Sequence, residues 1–388
     1  MGGPNNPEYY LNSVTCTRPL ELDVQEILPI LFGAAVPARR GLQPPEYSSR
    51  QVLYEAAASS GTERGRDPRD REQSVAGARR SRREATDGTP TMTTIIDGND
   101  IGDSIETGVA DSVETLAEAG VRPGLATVLM SDDGASETYV SMKRRTCEEL
   151  GIESFHHEIA PEAPAERLFD RIDELNGGPA VDGILVQMPV PDHVDKRRVL
   201  ERIDPMKDVD GFHPENVGRM VAGNPRYKPC TPHGIQKLLE AAGVETEGTD
   251  AVVVGRSDIV GKPMANLLIQ KAPGGNATTT VCHSRTADLA ARTRAADIVV
   301  AAAGVPEMVD GSMLSEGVVV VDVGVNRVEA DTEKGYELVG DVAFESAKEK
   351  ASAITPVPGG VGPLTIAMLM YNTVKAASLQ SGVDVELP

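Results

Sequence analysis

From residue 92 onward the chain reads as a two-domain α/β protein built on parallel sheets, and three observations carry that reading. Strand-like and helix-like segments alternate, the pattern of parallel α/β layers. Valine-rich runs such as GVVVVD at 317–322 lack polar alternation, as strands covered on both faces do. VVVGRSDIVGKP at 252–263 sets a strand, a glycine-bearing turn and a helix-like segment in succession, the local order that receives a dinucleotide.

Residues 1–91 stand apart. They hold 12 Arg, no Lys and 12 acidic residues, and 64–91 is charge-dense and poor in apolar periodicity, the composition of a disordered segment. Their one apolar stretch, ELDVQEILPILFGAAV at 21–36, is interrupted by Pro29. We expect 1–91 to be a disordered or spurious extension, with folded sequence starting at Met92.

Beyond it, 101–120 is helix-like and stops at Gly120, GLATVLM (124–130) is a strand, and 136–151 is a helix with Ser136 expected as N-cap. IESFHHEI (152–159), APAERLFDRIDELN (163–176) and VDGILVQMPV (181–190) continue as strand, helix and strand. PCTPHGIQKLLEAAG (229–243) is a helix primed by Thr231 and Pro232 that leads into the second series, with strands expected within 250–269, 278–286, 297–304 and 317–326. ITPVPGGVGPLTIAMLMY (354–371) ends the series. Its prolines and glycines predict a rigid, sterically open turn, followed by a helix with Pro363 in first position and Leu364, Ala367, Met368 and Tyr371 at helical spacing.

Charge narrows the partners. The net charge is −21, and all of it belongs to 92–388, where 26 basic residues face 47 acidic ones. Such a chain repels nucleic acid and anionic membranes, and at low ionic strength it also repels itself. We therefore read it as a protein of a high-salt cytoplasm. No apolar run reaches the roughly 18 residues a membrane helix needs. The four cysteines show neither disulfide nor metal spacing, so no metal is expected.

Tyr139 and Lys143, four apart in YVSMK, share one helical face, which sets a phenol and an amine side by side. Gln187 closes the strand GILVQ at its carboxyl end, where α/β sheets place ligands. Asp208 and Asp210 flank Val209 ahead of Gly211, and at most one of them is expected to face such a site. In the second domain Gly255, Ser257 and Gly261 form the turn, with a spacing that differs from the common GxGxxG. Where an NAD site offers an acid to the ribose, this chain has His283, Ser284 and Arg285, with Arg256 in the first turn. Two guanidinium groups and a hydroxyl suit a 2′-phosphate, so NADP is expected rather than NAD.

YVSMK, GILVQMPVP, KDVDGFHP, PCTPHG, VVVGRSDIVGKP, CHSRT, GDV and ITPVPGGVGP occur in this order. With them the chain resembles, over 92–380, the bifunctional methylenetetrahydrofolate dehydrogenase/methenyltetrahydrofolate cyclohydrolase family; 1–91 matches nothing in it. The resemblance implies a folate-binding domain at 92–232, completed by the 363–388 helix, and a Rossmann-like NADP domain at 233–362, with a cleft between them. It also implies a homodimer. Lys143 would be the central catalytic residue, Tyr139 and Gln187 its positioning partners, and Asp210 the acid that anchors the pterin ring. Val140, Ser141, Met142, Val186, Met188, Pro358, Gly359, Gly360, Val361 and Gly362 would line the tetrahydrofolate. Gly255, Arg256, Ser257, Ser284, Arg285 and Val325 would hold NADP, Val325 standing where the family usually has isoleucine. Two rival readings are another NADP dehydrogenase of the amino-acid or shikimate type, and an inactive nucleotide-binding regulator.

The acidity generates a prediction. Near 1 M salt the Debye length shrinks to about 3 Å, which screens carboxylate repulsion summed over the whole body. Melting temperature and initial rate at saturating NADP should therefore both rise from about 0.1 M toward molar KCl. A melting temperature that stays flat or falls would contradict the high-salt reading.

Overall fold

In a computed structural model, the structure describes residues 92–132, 134–332 and 335–388; the extension expected at 1–91 lies outside them. Strand β1 (Thr94–Ile95) leads into helix α1 (Gly98–Glu118), capped by Asp97, whose carboxylate accepts from the Asn99 amide. There follow β2 (Gly124–Leu129), α2 (Gly134–Leu150), β3 (Glu153–Glu158), α3 (Ala165–Asn176) and β4 (Gly183–Val186). These strands form a parallel sheet in the order β3-β2-β4. Helix α2 starts at Gly134, so Ser136 lies inside its first turn and is not the N-cap; Ala135, the strongest helix former, carries the helix back past it.

Short helices α4 (Lys196–Arg202) and α5 (Pro214–Val221) precede α6 (Cys230–Ala241), which begins on Pro229. The second series is β5 (Asp250–Val254), α7 (Gly261–Leu268), β6 (Thr278–Cys282), α8 (Leu289–Arg294), β7 (Ile298–Ala301) and β8 (Val318–Asp322). An antiparallel hairpin, β9 (Asn326–Glu329) with β10 (Tyr336–Val339), then helix α9 (Phe344–Lys348) and strand β11 (Ala351–Ile354) follow. The six-stranded sheet is parallel, in the order β1-β11-β8-β7-β5-β6. Its first strand, Thr94–Ile95, comes from the stretch expected to belong wholly to the first domain. Two residues are too short to announce themselves as a strand, and the pairing with Ala353 and Ile354 places them there.

The last helix, α10 (Val361–Ser381), is buried along most of its length and packs against α1 and α6. It opens at Val361, inside the glycine loop, so Pro363 is third in the helix and not first. Proline is harmless there, because the first amides of a helix have no intrahelical acceptor. The loop from β11 to α10 packs close against the start of α1. A Cβ on Gly98 would fall 1.7 Å from the Gly360 carbonyl oxygen, and the Gly98 amide donates to Gly359 O at 2.8 Å. Among the described residues no helix is long and apolar enough to cross a membrane.

Candidate active site

Lys143 projects from α2 into the buried interior, and its Nζ donates to Gln187 Oε1 at 2.9 Å. Gln187 follows β4 directly. Its own amide donates to Val128 O and its Nε2 donates to Met188 O at 2.9 Å, so the carboxamide presents only oxygen to the lysine. Burial pulls the Lys143 ammonium below its ordinary value, against the opposing attraction of Asp210.

Asp210 is held in place from two sides. The segment 207–209 runs beside β4: Ile184 N donates to Lys207 O at 2.7 Å, and a Cβ on Gly183 would meet Val209 Cγ1 at 2.7 Å. From α10, Asn372 Nδ2 donates to Val209 O at 2.7 Å and to Lys228 O at 2.9 Å. Burial pushes the Asp210 carboxyl up to about 6, opposed by Lys143 and reinforced by the neighbouring Asp208 charge. The two aspartates divide their work because the chain turns tightly here, Val209 N donating to Lys207 O at 2.9 Å and Gly211 N to Asp208 O at 3.1 Å, whereas an extended segment would set residues two apart on one side. Asp208 is buried and accepts from His213 N and Asn216 Nδ2, both at 2.8 Å, so it shapes the turn while Asp210 faces the lysine.

Cys230 completes this cluster, and sequence reasoning missed it. Its thiol is buried beside Asp210 and Lys143, with Asn372 Nδ2 at 3.7 Å, and burial drives it well above its ordinary value. It is therefore an uncharged wall of the site, not a nucleophile. The sole signal was its place in PCTPHG.

Around this centre, Val140 and Val186 are buried, Gln187 and Met188 are half-buried, and Ser141 and Met142 are exposed. Tyr139, one turn before Lys143, is 38% exposed, which leaves its ring face open. The 358–362 loop is anchored on α1 as described, with Gly359 at φ 97°, a conformation that favours glycine.

At the carboxyl edge of the six-stranded sheet, Gly255 has φ 131°, and a Cβ there would sit 2.0 Å from Ala302 O. A Cβ on Gly261 would fall 2.4 Å from Gly255 O. The turn is thus a bare-backbone cradle that only glycine permits. Ser257 works within it, its Oγ accepting from Val260 N at 3.1 Å and Gly261 N at 3.3 Å. Arg256, Ser284 and Arg285 are exposed at the ends of the adjacent strands β5 and β6, and neither arginine has an ion pair among the described residues. Val325 is 50% exposed beyond β8. The cradle and its free cations fit a dinucleotide that carries an extra phosphate.

These features define a nucleotide-binding α/β enzyme whose first lobe carries a buried lysine. Residues 96–210 match the family model described as the tetrahydrofolate dehydrogenase/cyclohydrolase catalytic domain, and residues 229–381 that of its NAD(P)-binding domain. The bifunctional protein FolD 2 of Haloarcula marismortui is 80% identical over 297 residues, 76% of this chain and all of that protein. The FolD of Natronomonas pharaonis is 69% identical over the same shares. The Campylobacter jejuni methylenetetrahydrofolate dehydrogenase/cyclohydrolase structure is 46% identical, with a TM-score of 0.70, and covers 74% of this chain and 99% of that one. The Trypanosoma brucei enzyme, solved with NADP and an inhibitor, is 40% identical with a TM-score of 0.71, covering 74% of this chain and 98% of that one. The chain belongs to the tetrahydrofolate dehydrogenase/cyclohydrolase family.

The raised Asp210 carboxyl sets a pH prediction. It binds its proton more tightly in the folded state, at about 6 against an ordinary 3.8, so its contribution to stability is complete below 3.8 and is lost as pH rises through 6. Unfolding free energy of the wild type minus that of Asp210→Asn should therefore increase as pH falls from about 7 to about 4. A flat difference would show that Asp210 is well solvated, and one that slopes the other way that the fold favours its charged form; either contradicts the burial described.

Proposed function

We propose that the protein oxidises 5,10-methylenetetrahydrofolate to 5,10-methenyltetrahydrofolate with NADP and then hydrolyses that product to 10-formyltetrahydrofolate. The observation that carries this reading is the buried Lys143 Nζ at 2.9 Å from Gln187 Oε1, with Asp210 facing the same lysine. Bound NADP supplies the hydride acceptor. The oxidised one-carbon bridge is a cationic iminium, which a fully charged neighbouring amine would repel, and the lowered Lys143 answers that demand.

In the hydrolytic step water adds to the iminium carbon and the neutral form of Lys143 takes up the proton that the water sheds; the bond from that carbon to N5 then breaks, N5 taking the proton, and the formyl group stays on N10. Gln187 holds the amine toward that carbon without adding charge. Tyr139, on the same helical face, presents its ring to the substrate. Asp210, poised near 6, accepts from the pterin ring nitrogens and keeps the ring in register. Arg256 and Arg285 hold the 2′-phosphate of the cofactor, and the 358–362 loop lines the folate.

The domain limits belong to this proposal: 92–232 with 363–388 for folate, 233–362 for NADP. So do the cytoplasmic location and the homodimer, for which β3 offers the edge of the three-stranded sheet.

Lys143→Met keeps the aliphatic stem and deletes the amine. It should abolish hydrolysis of methenyltetrahydrofolate, followed by absorbance, while the circular dichroism spectrum and melting transition stay those of the wild type. Near-normal hydrolysis would falsify the assigned role.

Each charge-assisted contact to a 2′-phosphate contributes about 1.5–3 kcal/mol. Arg256→Ala and Arg285→Ala should each weaken NADP binding and leave NAD binding unchanged. Equal weakening of both cofactors would place the arginines on the pyrophosphate instead.

A further inference from the structure

Asp341 lies 0% exposed, and its carboxylate is surrounded by donors from two separate loops. Oδ2 accepts from Ala303 N at 2.5 Å and from Gly304 N at 2.8 Å. Oδ1 accepts from Val305 N at 3.0 Å and from Asn326 Nδ2 at 2.9 Å. A Cβ on Gly324 would fall 2.2 Å from Oδ1, so the loop after β8 closes directly over the carboxylate. Asp341 is itself fixed, because Asp322, at the end of β8, accepts from Asp341 N at 2.9 Å and from Val342 N at 3.0 Å.

Both loops gathered in this way follow strands of the six-stranded sheet, at the edge where parallel sheets bind ligands. Residues 302–305 follow β7. Ala302 O is the atom that packs against Gly255 of the cofactor turn. Residues 323–326 follow β8 and carry the exposed Val325. With Arg256 and Arg285 taking the phosphate-bearing half over β5 and β6, the other half of the dinucleotide falls over β7 and β8.

We propose that Asp341 is a positioning residue for NADP. One anionic side chain, touching no reacting atom, holds the backbone of the loops after β7 and β8 in the shape that receives the nicotinamide half of the cofactor. Charge-assisted bonds to backbone amides are the strong ones, and a buried carboxylate with four donors locks these loops before the cofactor arrives. The inference rests on the NADP reading above.

The bifunctional chemistry supplies an internal control. Hydrolysis of methenyltetrahydrofolate uses Lys143 and Gln187 in the other lobe and needs no cofactor. Asp341→Asn keeps one acceptor oxygen and turns the other into a donor that faces donors, and Asp341→Ala removes both. The full chain is assayed for dehydrogenase kcat and KM at varied NADP, for NADPH binding by fluorescence, and for cofactor-free hydrolysis. Loss of such contacts corresponds to roughly a tenfold rise in the KM for NADP in the asparagine variant and more in the alanine variant, with hydrolysis within about twofold of wild type.

A KM for NADP that does not move in either variant would overturn the proposal. So would hydrolysis falling in the same proportion as oxidation alongside a lower melting temperature, which would mark Asp341 as a general fold residue. If the alanine variant does not fold, the asparagine variant decides by the same two readouts. A wild-type protein that binds no NADPH would instead defeat the cofactor reading itself, separately from the role of Asp341.

Discussion

The burial of one ammonium group organises the catalytic lobe. An amine taken out of water needs partners, and the fold gives Lys143 one neutral oxygen from Gln187 and one carboxylate, Asp210, that is itself pushed toward neutrality. Burial shifts both groups toward their neutral forms, the lysine downward and the carboxyl upward. Much of the surrounding backbone serves that balance. The 207–209 segment lies along β4, Gly183 gives it room, and Asn372 ties Val209 and Lys228 down from α10. The last helix of the chain therefore reaches back to set the acid beside a lysine that comes more than two hundred residues earlier.

In the other lobe the same device appears with the opposite outcome. Asp341 and Asp322 are buried carboxylates whose oxygens accept from backbone amides, so each closes a loop without an opposing cation. Both lobes spend buried acidity on geometry. The surface acidity is a separate matter: the 80% and 69% identical relatives come from halophilic archaea, and an excess of 47 acidic over 26 basic residues in 92–388 is a self-repulsion that salt screens.

Much of the fold was legible because the chain advertises it. Valine runs marked β5, β7 and β8, glycine stops marked helix ends, and Gln187 stood where a strand ends. Short or tertiary elements were not legible. Thr94–Ile95 becomes a strand by pairing with Ala351–Ile354, which itself pairs with β8, and the 326–339 hairpin is built from two four-residue strands too short to declare themselves. Ser136 was read as a cap because its side chain suits one, yet local helix propensity starts the helix two residues earlier. Within the site, Lys143 and Gln187 were found from spacing and strand position. Cys230 and Asn372 were missed, since a cysteine and an asparagine far apart in sequence carry no local sign that α6 and α10 will bring them together at 3.7 Å. Asp341 sat inside a recognised GDV motif, but its four donors come from two loops that only the folded sheet assembles.

The charge state of one amine governs the chemistry of this site, and that is directly measurable. Titration of the Lys143 Cε resonance by 13C NMR, assigned by its absence in Lys143→Met, reports the ionisation of the amine in the intact protein. The burial described above predicts a midpoint below the ordinary lysine value of 10.5. A midpoint at or above 10.5 would show a fully charged, well-solvated ammonium and contradict the account at its centre.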